Sequence, residues 1–499
     1  MKKDILSVGI DIGTTTTSMI VSRLGISNTA ASYRVPEVSI TTKDIIYRSP
    51  LYLTPQKDRD LLDGEAIRQI VEKEYRAAGI RPEDVDTGAV IITGESSLKE
   101  NAQIIIDKLS TLAGEFVVAT AGPDLESILA GRGSGAEAFS KKYGCVAANL
   151  DIGGGTTNVS VFNCGNLEAQ TCIDVGGRIA KYDQQGRLTY VSARLNDLGA
   201  LRGLQWNEGE TVSDETLRTI GNLLADTILD SIAPVHTDLT RVSTTSTSKP
   251  IRLTDPIQYV SFSGGVADCY YKEERNLRAY HDLGPCIAEA LHKKVETQRA
   301  KPGGFEVVEP KETIRATVVG AGTYMTEVSG STISYSEDLF PIKNLPMFLP
   351  SEEAEAALYL GEHRKLADEL RWYMDQAQVE QMGLCVRGKE RTTYPELKHL
   401  AETLLQVDRE VLSPTQPLII ICENDLAKAL GQVMGRMART GGVSSPASFG
   451  GAGGSASVST KPIICLDCIR INSGDYIDIG KPVMDGVALP VVVKTLIFS

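Results

Sequence analysis

The stretch VGIDIGTTTTSMIV, Val8–Val21, returns in altered form as NLDIGGGTTNVSVF, Asn149–Phe162. Each runs from apolar residues through Asp, Gly and threonines to apolar residues again. β-branched segments around a glycine predict a β-hairpin, because Gly supplies positive φ at the turn and lets a ligand approach the backbone. Gly13 and Gly153, Gly154 and Gly155 would offer backbone N–H groups to an anion. Thr14, Thr15, Thr16, Thr156 and Thr157 would add hydroxyl donors. Asp11 and Asp151 would repel a phosphate, so their presence implies a bridging cation, most simply Mg²⁺ held largely through water. One such turn is as readily an ordinary hairpin; two in this order predict a clamp.

Composition narrows the partners. In 499 residues, 51 Lys and Arg against 64 Asp and Glu leave a formal charge of −13. That balance opposes binding to nucleic acid or anionic lipid. No apolar run approaches the ~20 residues that span a bilayer. Asp11 interrupts the first apolar stretch, so no signal peptide is expected. A cytoplasmic protein follows as the expectation. Nine cysteines, an odd number, do not read as a disulfide framework. Cys465 and Cys468 form the one C-x-x-C, but in a strand they would face opposite sides.

The length predicts several domains. After the first hairpin, a helix is expected over Gly64–Gly79 and a strand at Ala89–Thr93. The junction Gly94–Ser97 then leads to a helix carrying Leu98, Ile105, Ile106 and Leu109. A strand at Phe116–Ala119 feeds a helix opening near Pro123, a residue suited to a first turn. Gly176-Gly177 reads as a structural turn, Leu188–Val191 as a strand, Ser213–Ile232 as helical and the polar tract from Ser243 as an exposed loop. Ile257–Ala267 is a strand feeding the turn at Ser263, Gly264 and Gly265. Beyond it come a small-residue helix within Glu312–Gly330, a long helix from Ser351 through Trp372, a helix on Leu397, Leu400, Leu404 and Val407, and a buried strand at Leu418–Cys422. The acidic turn Glu423–Asp425 is unsuited to phosphate. Gly441–Thr460 reads as a polar loop, and strands near Ile463–Ile471 and Val487–Phe498 close the chain.

The paired hairpins resemble the phosphate-binding hairpins of the actin, sugar-kinase and heat-shock-chaperone ATPase superfamily, whose two lobes close on ATP. The segment from Phe116 resembles the first connecting helix of that superfamily, and Glu312–Gly330 the second, with Gly320-Ala321-Gly322 at the crossover. Ser263, Gly264 and Gly265 resemble its adenosine motif. The resemblance implies an α/β, actin-like fold: two ribonuclease-H-like lobes over residues 1–147 and 148–335, and an additional α/β domain over 336–499. It implies ATP and Mg²⁺ as cofactors, Asp11, Asp151 and Thr156 as catalytic residues, and Asp11 and Asp151 as metal ligands. Where the chaperone branch carries a water-positioning Glu, this chain has Gly122. Asp124 or Glu126 could substitute, although acidic residues at a helix start need no further role.

A kinase, a filament subunit and an ATP-driven remodelling factor all remain compatible with such a fold. The extra C-terminal third favours remodelling, since it supplies a second surface that lobe closure could move. The start KKDILSVGIDIGTTTTSMIVSRL, the junction TGESSLKENAQ and the end DYIDIGKPVMDGVALPVVVKTLIFS resemble the family of ethanolamine ammonia-lyase reactivating factors. That resemblance implies ethanolamine ammonia-lyase as the partner, with cobalamin handled through the lyase. Homo-oligomerisation and association with a bacterial microcompartment stay open. His281-Asp-Leu-Gly284 departs from the D-x-H-x-x-G that ligates cobalamin, because Ala279 stands at the Asp position.

Overall fold

The computed structural model describes residues 3–28, 38–58, 61–93, 101, 105, 109, 123–301, 303–324, 326–329, 339–377, 379, 381–389, 391–439, 461–471, 474–482 and 489–495. These form two compact units, one of residues 7–22 and 45–325, the other of 1–6, 23–44 and 326–499. The junction from Gly94, the strand at Phe116–Ala119 and the loop Gly441–Thr460 lie outside the described residues.

A first sheet contains β1 (Lys3–Ile12), β2 (Thr16–Asn28), β3 (Val38–Arg48), β4 (Tyr52–Leu53) and, after helix α1 (Gly64–Ala78), β5 (Thr87–Ile92). Its order is β3-β2-β1-β5, with β4 on β2. β5 runs parallel to β1 and sets Ile91 opposite Asp11. Asp63 caps α1 at its start, and Gly79, with φ 68°, ends it in the left-handed conformation that glycine takes freely.

Helices α2 (Pro123–Ser134) and α3 (Ala136–Tyr143) lead to a second sheet. It begins with the antiparallel β6 (Val146–Ile152), β7 (Thr157–Asn163) and β8 (Asn166–Ile173). The small strands β9 (Ala180–Tyr182) and β10 (Leu188–Val191) pair with each other. Helices α4 (Ala193–Ala200), α5 (Asp214–Asp230) and α6 (Asp238–Ser243) follow, then β11 (Tyr259–Ser263), α7 (Gly265–Tyr271), α8 (Gly284–Arg299), β12 (Glu306–Val307) and α9 (Ala316–Tyr324). The sheet order is β12-β11-β6-β7-β8, with β11 parallel to β6. The tract from Ser243 is not wholly exposed: Ser243 is buried, because it ends α6 and its carbonyl accepts the Asp174 N–H at 2.7 Å.

Helices α2 and α9 cross with their backbones in contact. A Cβ on Gly133 would lie 1.8 Å from the Ala316 carbonyl oxygen, and one on Gly320 would lie 2.0 Å from that of Leu129. A Cβ on Gly9 in β1 would in turn meet the Val318 carbonyl at 2.7 Å, and the Ser7 hydroxyl donates to the Gly322 carbonyl at 2.7 Å. The small residues of both helices are therefore a packing requirement. VVGAGTY lies within α9.

In the other unit β13 (Thr326–Ser329) and β14 (Ile342–Phe348) precede α10 (Glu352–Tyr359) and α11 (Arg364–Ala377). After these come β15 (Gly383–Val386), α12 (Tyr394–Glu410), β16 (Leu418–Cys422), α13 (Ala427–Arg439), β17 (Ile463–Leu466), β18 (Asp475–Ile479) and β19 (Leu489–Thr495). They form a seven-stranded sheet in the order β13-β19-β18-β14-β15-β16-β17. Leu384, Val386, Leu418, Ile420 and Cys422 pack with the helical residues Leu400 and Leu404, whereas Cys385, Ile419, Ile421 and Ile464 pack with Ile477 and Val491. Burial on both faces explains the unbroken apolar run at Leu418–Cys422. The single helix expected over 351–372 is two, since Gly361 adopts φ 89° just after α10 and breaks the helical path. Cys465 is buried and Cys468 exposed, and neither forms a disulfide among the described residues. Asp467 accepts the backbone N–H groups of Leu426, at 2.9 Å, and Ala427, so a carboxylate already occupies the start of α13.

Both hairpin-bearing sheets begin with antiparallel strands and continue through a parallel strand across from the first. This is the α/β, actin-like fold with an added α/β portion.

Candidate functional site

The two predicted hairpins adopt one turn. Gly13 N–H donates to the Thr16 carbonyl at 2.9 Å, and Gly153 N–H donates to that of Thr156 at 2.9 Å, so these two N–H groups, expected to face an anion, are engaged within the turns. In the second, antiparallel pairing sets Asp151 opposite Asn158 and Ile152 opposite Thr157. The hairpin tips face each other: a Cβ on Gly154 would lie 3.0 Å from the Thr15 hydroxyl oxygen. Strand β1 thus carries Asp11, and β6 carries Asp151, into one cavity of about 310 Å³.

That cavity is lined by Asp11, Gly13, Thr14, Thr15 and Thr16 of the first hairpin and by Asp151, Gly153, Gly154, Gly155 and Thr156 of the second. Gly264 and Gly265 line it from the start of α7. Gly264 has φ 84°, and a Cβ there would lie 2.4 Å from the Ile152 carbonyl oxygen, so this turn is pressed on the end of β6. Two residues expected at the ligand stand behind the wall. Thr157 is buried and donates to the Val175 carbonyl at 2.6 Å. Ser263 is buried and donates to the Asp151 carboxylate at 2.5 Å.

Arg178 and Thr93 had no signal beyond ordinary turn composition. Arg178 follows Gly176-Gly177, and its N–H donates to the Gly154 carbonyl at 2.6 Å, while its Nε donates to Asp282 at 3.2 Å. A Cβ on Gly176 would lie 2.5 Å from the Gly154 carbonyl oxygen. The turn read as structural therefore also delivers a guanidinium to the cavity. Thr93, at the end of β5, donates to Asp11 at 3.0 Å, and Thr317 of α9 donates to Asp151 at 3.5 Å. Glu126 of α2 also lines the cavity and is largely buried.

Burial dominates the electrostatics. It pushes the Asp11 carboxyl up to about 7, against the lowering effect of the Thr93 hydrogen bond and with a further push from Asp151. Burial raises Asp151 to about 6, against hydrogen bonds from Ser263 and Thr317. Burial likewise raises Asp282, opposed by the Gly284 N–H and Arg178. Among the described residues neither Asp11 nor Asp151 has an ion-pair partner, so a bound cation would relieve both. Those residues also contain no cluster of three or more His, Cys, Asp or Glu able to hold a metal. The donor set fits Mg²⁺, which takes one or two carboxylates and completes its shell with water and substrate phosphates.

A pH dependence follows. A carboxyl whose folded pKa is raised contributes stability that is full below its unfolded value, 3.8, and is lost as pH rises through about 7. Asp11→Asn is therefore expected to gain thermal stability over the wild type between pH 5 and pH 8 in chelator. The gain is on the order of 2 kcal/mol, discounted because Asp11 still meets solvent in the cavity. A melting-temperature difference that stays constant across that range contradicts the assignment.

The family model described as "Ethanolamine utilisation protein EutA" matches residues 3–443 and 451–499. The chain is 33% identical to the ethanolamine ammonia-lyase reactivase EutA of Salmonella typhimurium over 507 residues, covering 99% of each chain. It is 32% identical to the Escherichia coli reactivase of the same name over 496 residues, again covering 99% of each. Among solved structures, component A of the Acidaminococcus fermentans (R)-2-hydroxyglutaryl-CoA dehydratase is 12% identical, with a TM-score of 0.32 over 64% of this chain and 97% of that one, a likeness that adds no argument. Matched along nearly its whole length by the family model and by both relatives, the chain belongs to the EutA family of ethanolamine utilisation proteins.

Proposed function

We propose that this protein is an ATP-dependent reactivase of ethanolamine ammonia-lyase, allowing damaged cobalamin in the lyase to be exchanged for intact adenosylcobalamin. The observation that carries the nucleotide part is the convergence of two Asp-Gly hairpins on one cavity, with both carboxylates and both glycine tips in its wall. The client comes from the relatives' names. Asp11 and Asp151 would hold Mg²⁺ through water. The ion, when bound, neutralises charge on the phosphates as the terminal phosphoryl group leaves.

The chain's own groups divide the remaining work. Backbone N–H groups at the hairpin tips and the hydroxyls of Thr14, Thr15, Thr16 and Thr156 orient the phosphates. Arg178, steadied by Asp282, adds positive charge. Gly265, whose Cβ would meet only Ile314 at 4.0 Å, leaves room for the nucleoside beside Tyr280 and Ile314, while Gly264 lets the turn press on β6. Glu126 is assigned to position the attacking water, because it lines the cavity from α2. Residues 336–499 are assigned to the client, through a coupling of ~1–3 kcal/mol that changes affinity 5- to 150-fold between nucleotide states.

The test is ATP turnover with and without inactivated lyase, together with recovery of lyase activity. Stimulated turnover and recovery are expected; phosphorylation of a small metabolite without recovery would favour a kinase. Arg178→Met should weaken ATP binding by about tenfold in calorimetry, from loss of a charge-assisted phosphate contact. Glu126→Gln should lower turnover by about 10²-fold or more while leaving ATP affinity near wild type. A Glu126→Gln protein with full turnover removes that role.

A further inference from the structure

A second cavity, of about 240 Å³, lies where α3, the first residues of β6 and β11, and segment 308–311 meet. Phe139, Tyr143 and Tyr259 form aromatic walls. The Phe139 ring stands 4.5 Å from that of Tyr143 and meets that of Tyr259 edge-on at 5.1 Å, measured between centroids. Tyr143 is 57% exposed, so part of its ring faces outward.

Lys142 and Lys311 also line this cavity, with the Glu309 carboxylate. The chain has more acidic than basic residues, yet neither lysine forms an ion pair among the described residues. The Lys142 ammonium instead lies 4.9 Å from the Tyr143 ring centroid. The Lys311 stem lies over Gly135, where a Cβ would meet its Cδ at 3.5 Å, and the Lys311 N–H donates to the Ser134 carbonyl at 2.9 Å. The Lys311 backbone and stem are thereby held against the end of α2.

The floor of the cavity connects with the first. Ser261 lines it, and its hydroxyl donates to the Asn149 side-chain oxygen at 2.9 Å. The Asn149 amide donates to the Ser263 hydroxyl at 2.9 Å, and that hydroxyl donates to Asp151. This ladder follows from the parallel register that sets Ser261 opposite Asn149 and Ser263 opposite Asp151. The first cavity takes Glu126 from α2, and Ile314 and Thr317 from the later chain; the second takes Ser134 from α2 and Val308 to Lys311.

We propose that this cavity is a second ligand site, for a small planar aromatic anion, whose occupancy is coupled to the nucleotide cavity through the Ser261–Asn149–Ser263–Asp151 ladder. The aromatic rings in the wall offer apolar contact to a ligand ring, and two ammoniums without carboxylate partners among the described residues supply the countercharge. The volume falls below the ~300–1,000 Å³ of drug-sized sites, so one or two fused rings fit. A ligand hydrogen-bonded to Ser261 repolarises a chain of donors that ends on Asp151. The coupling rests on the nucleotide reading above; the site does not.

The probe is 2-naphthoate, titrated by calorimetry into the full chain without nucleotide. It should bind about tenfold more tightly than neutral 2-naphthalenemethanol, and the double variant Lys142→Met, Lys311→Met should lose that preference while keeping its stems packed. Equal binding of the two compounds by the wild type, or an unchanged preference in the double variant, overturns the site. ATP is then titrated with and without saturating 2-naphthoate. A change of about fivefold in ATP Kd is expected, with an equal effect of ATP on naphthoate binding as linkage requires. Ser261→Ala should abolish that factor, even with naphthoate raised to saturate any weakened binding, while the preference for naphthoate over the alcohol, set by the lysines, remains. No change in the wild type, or the same factor in Ser261→Ala, overturns the coupling. If ATP alone fails to bind, the nucleotide reading fails and the coupling with it, while the naphthoate titrations still decide the site.

Discussion

Asp151→Asn is expected to lower ATP turnover by about 10²–10³-fold, the scale on which removal of one charge-stabilising group from a phosphoryl-transfer or oxyanion site is felt. The substitution keeps the shape of a side chain that is only 6% exposed, so the fold should survive. What it removes is the negative charge that Ser263 and Thr317 hydrogen-bond and that a Mg²⁺ would need. Phosphate release in Mg²⁺ gives the rate, and thermal melting in chelator gives the stability. A protein that melts at or above the wild-type temperature in chelator but turns over about 10²-fold more slowly supports the metal role. Turnover within a few-fold of wild type would remove Asp151 from the mechanism. Recovery of inactivated lyase should fall with turnover, because both depend on the same nucleotide cycle.

Gly320→Val should destabilise the protein by about 3 kcal/mol or more, toward the upper end for overpacking. The added Cβ would stand 2.0 Å from the Leu129 carbonyl oxygen and 2.6 Å from its carbon. Those are backbone atoms of α2, which no rotamer change can move aside. The reciprocal contact, Gly133 against the Ala316 carbonyl, leaves no slack on the other side. Relief would require α2 and α9 to separate, and these helices carry Glu126 and Thr317 to the cavity. A fall in urea midpoint accompanied by weaker ATP binding is therefore expected. An unchanged midpoint would mean that the crossing is looser than the backbone contacts indicate.

The two hairpins were legible because their requirements are local. An apolar strand, an Asp, a glycine turn and another apolar strand specify that device within about fourteen residues, by chain geometry and side-chain alternation alone. The same holds for α1, which Asp63 and Gly79 bracket, and for the buried strand at Leu418–Cys422. The Gly361 break was missed because one glycine in a helical pattern is tolerated as often as not, and only its observed φ of 89° decides the matter.

Which hydroxyls face a ligand was not a local matter. Thr157 and Ser263 belong to the right segments, yet alternation along β7 and β11 turns them to Val175 and Asp151 instead of the cavity. Arg178 and Glu126 enter the same wall from elements that local pattern could not bring together. The sequence by itself determined the hairpins, their carboxylates and the small residues of α2 and α9, since each depends on neighbours within a few positions. Only the tertiary structure decided that Gly154 meets Thr15, that Arg178 joins them, and that Asn149 links Ser261 to Asp151. Those contacts depend on strand register and helix crossing between residues far apart in the chain, where loop closure and core packing choose among partners that no short stretch can specify.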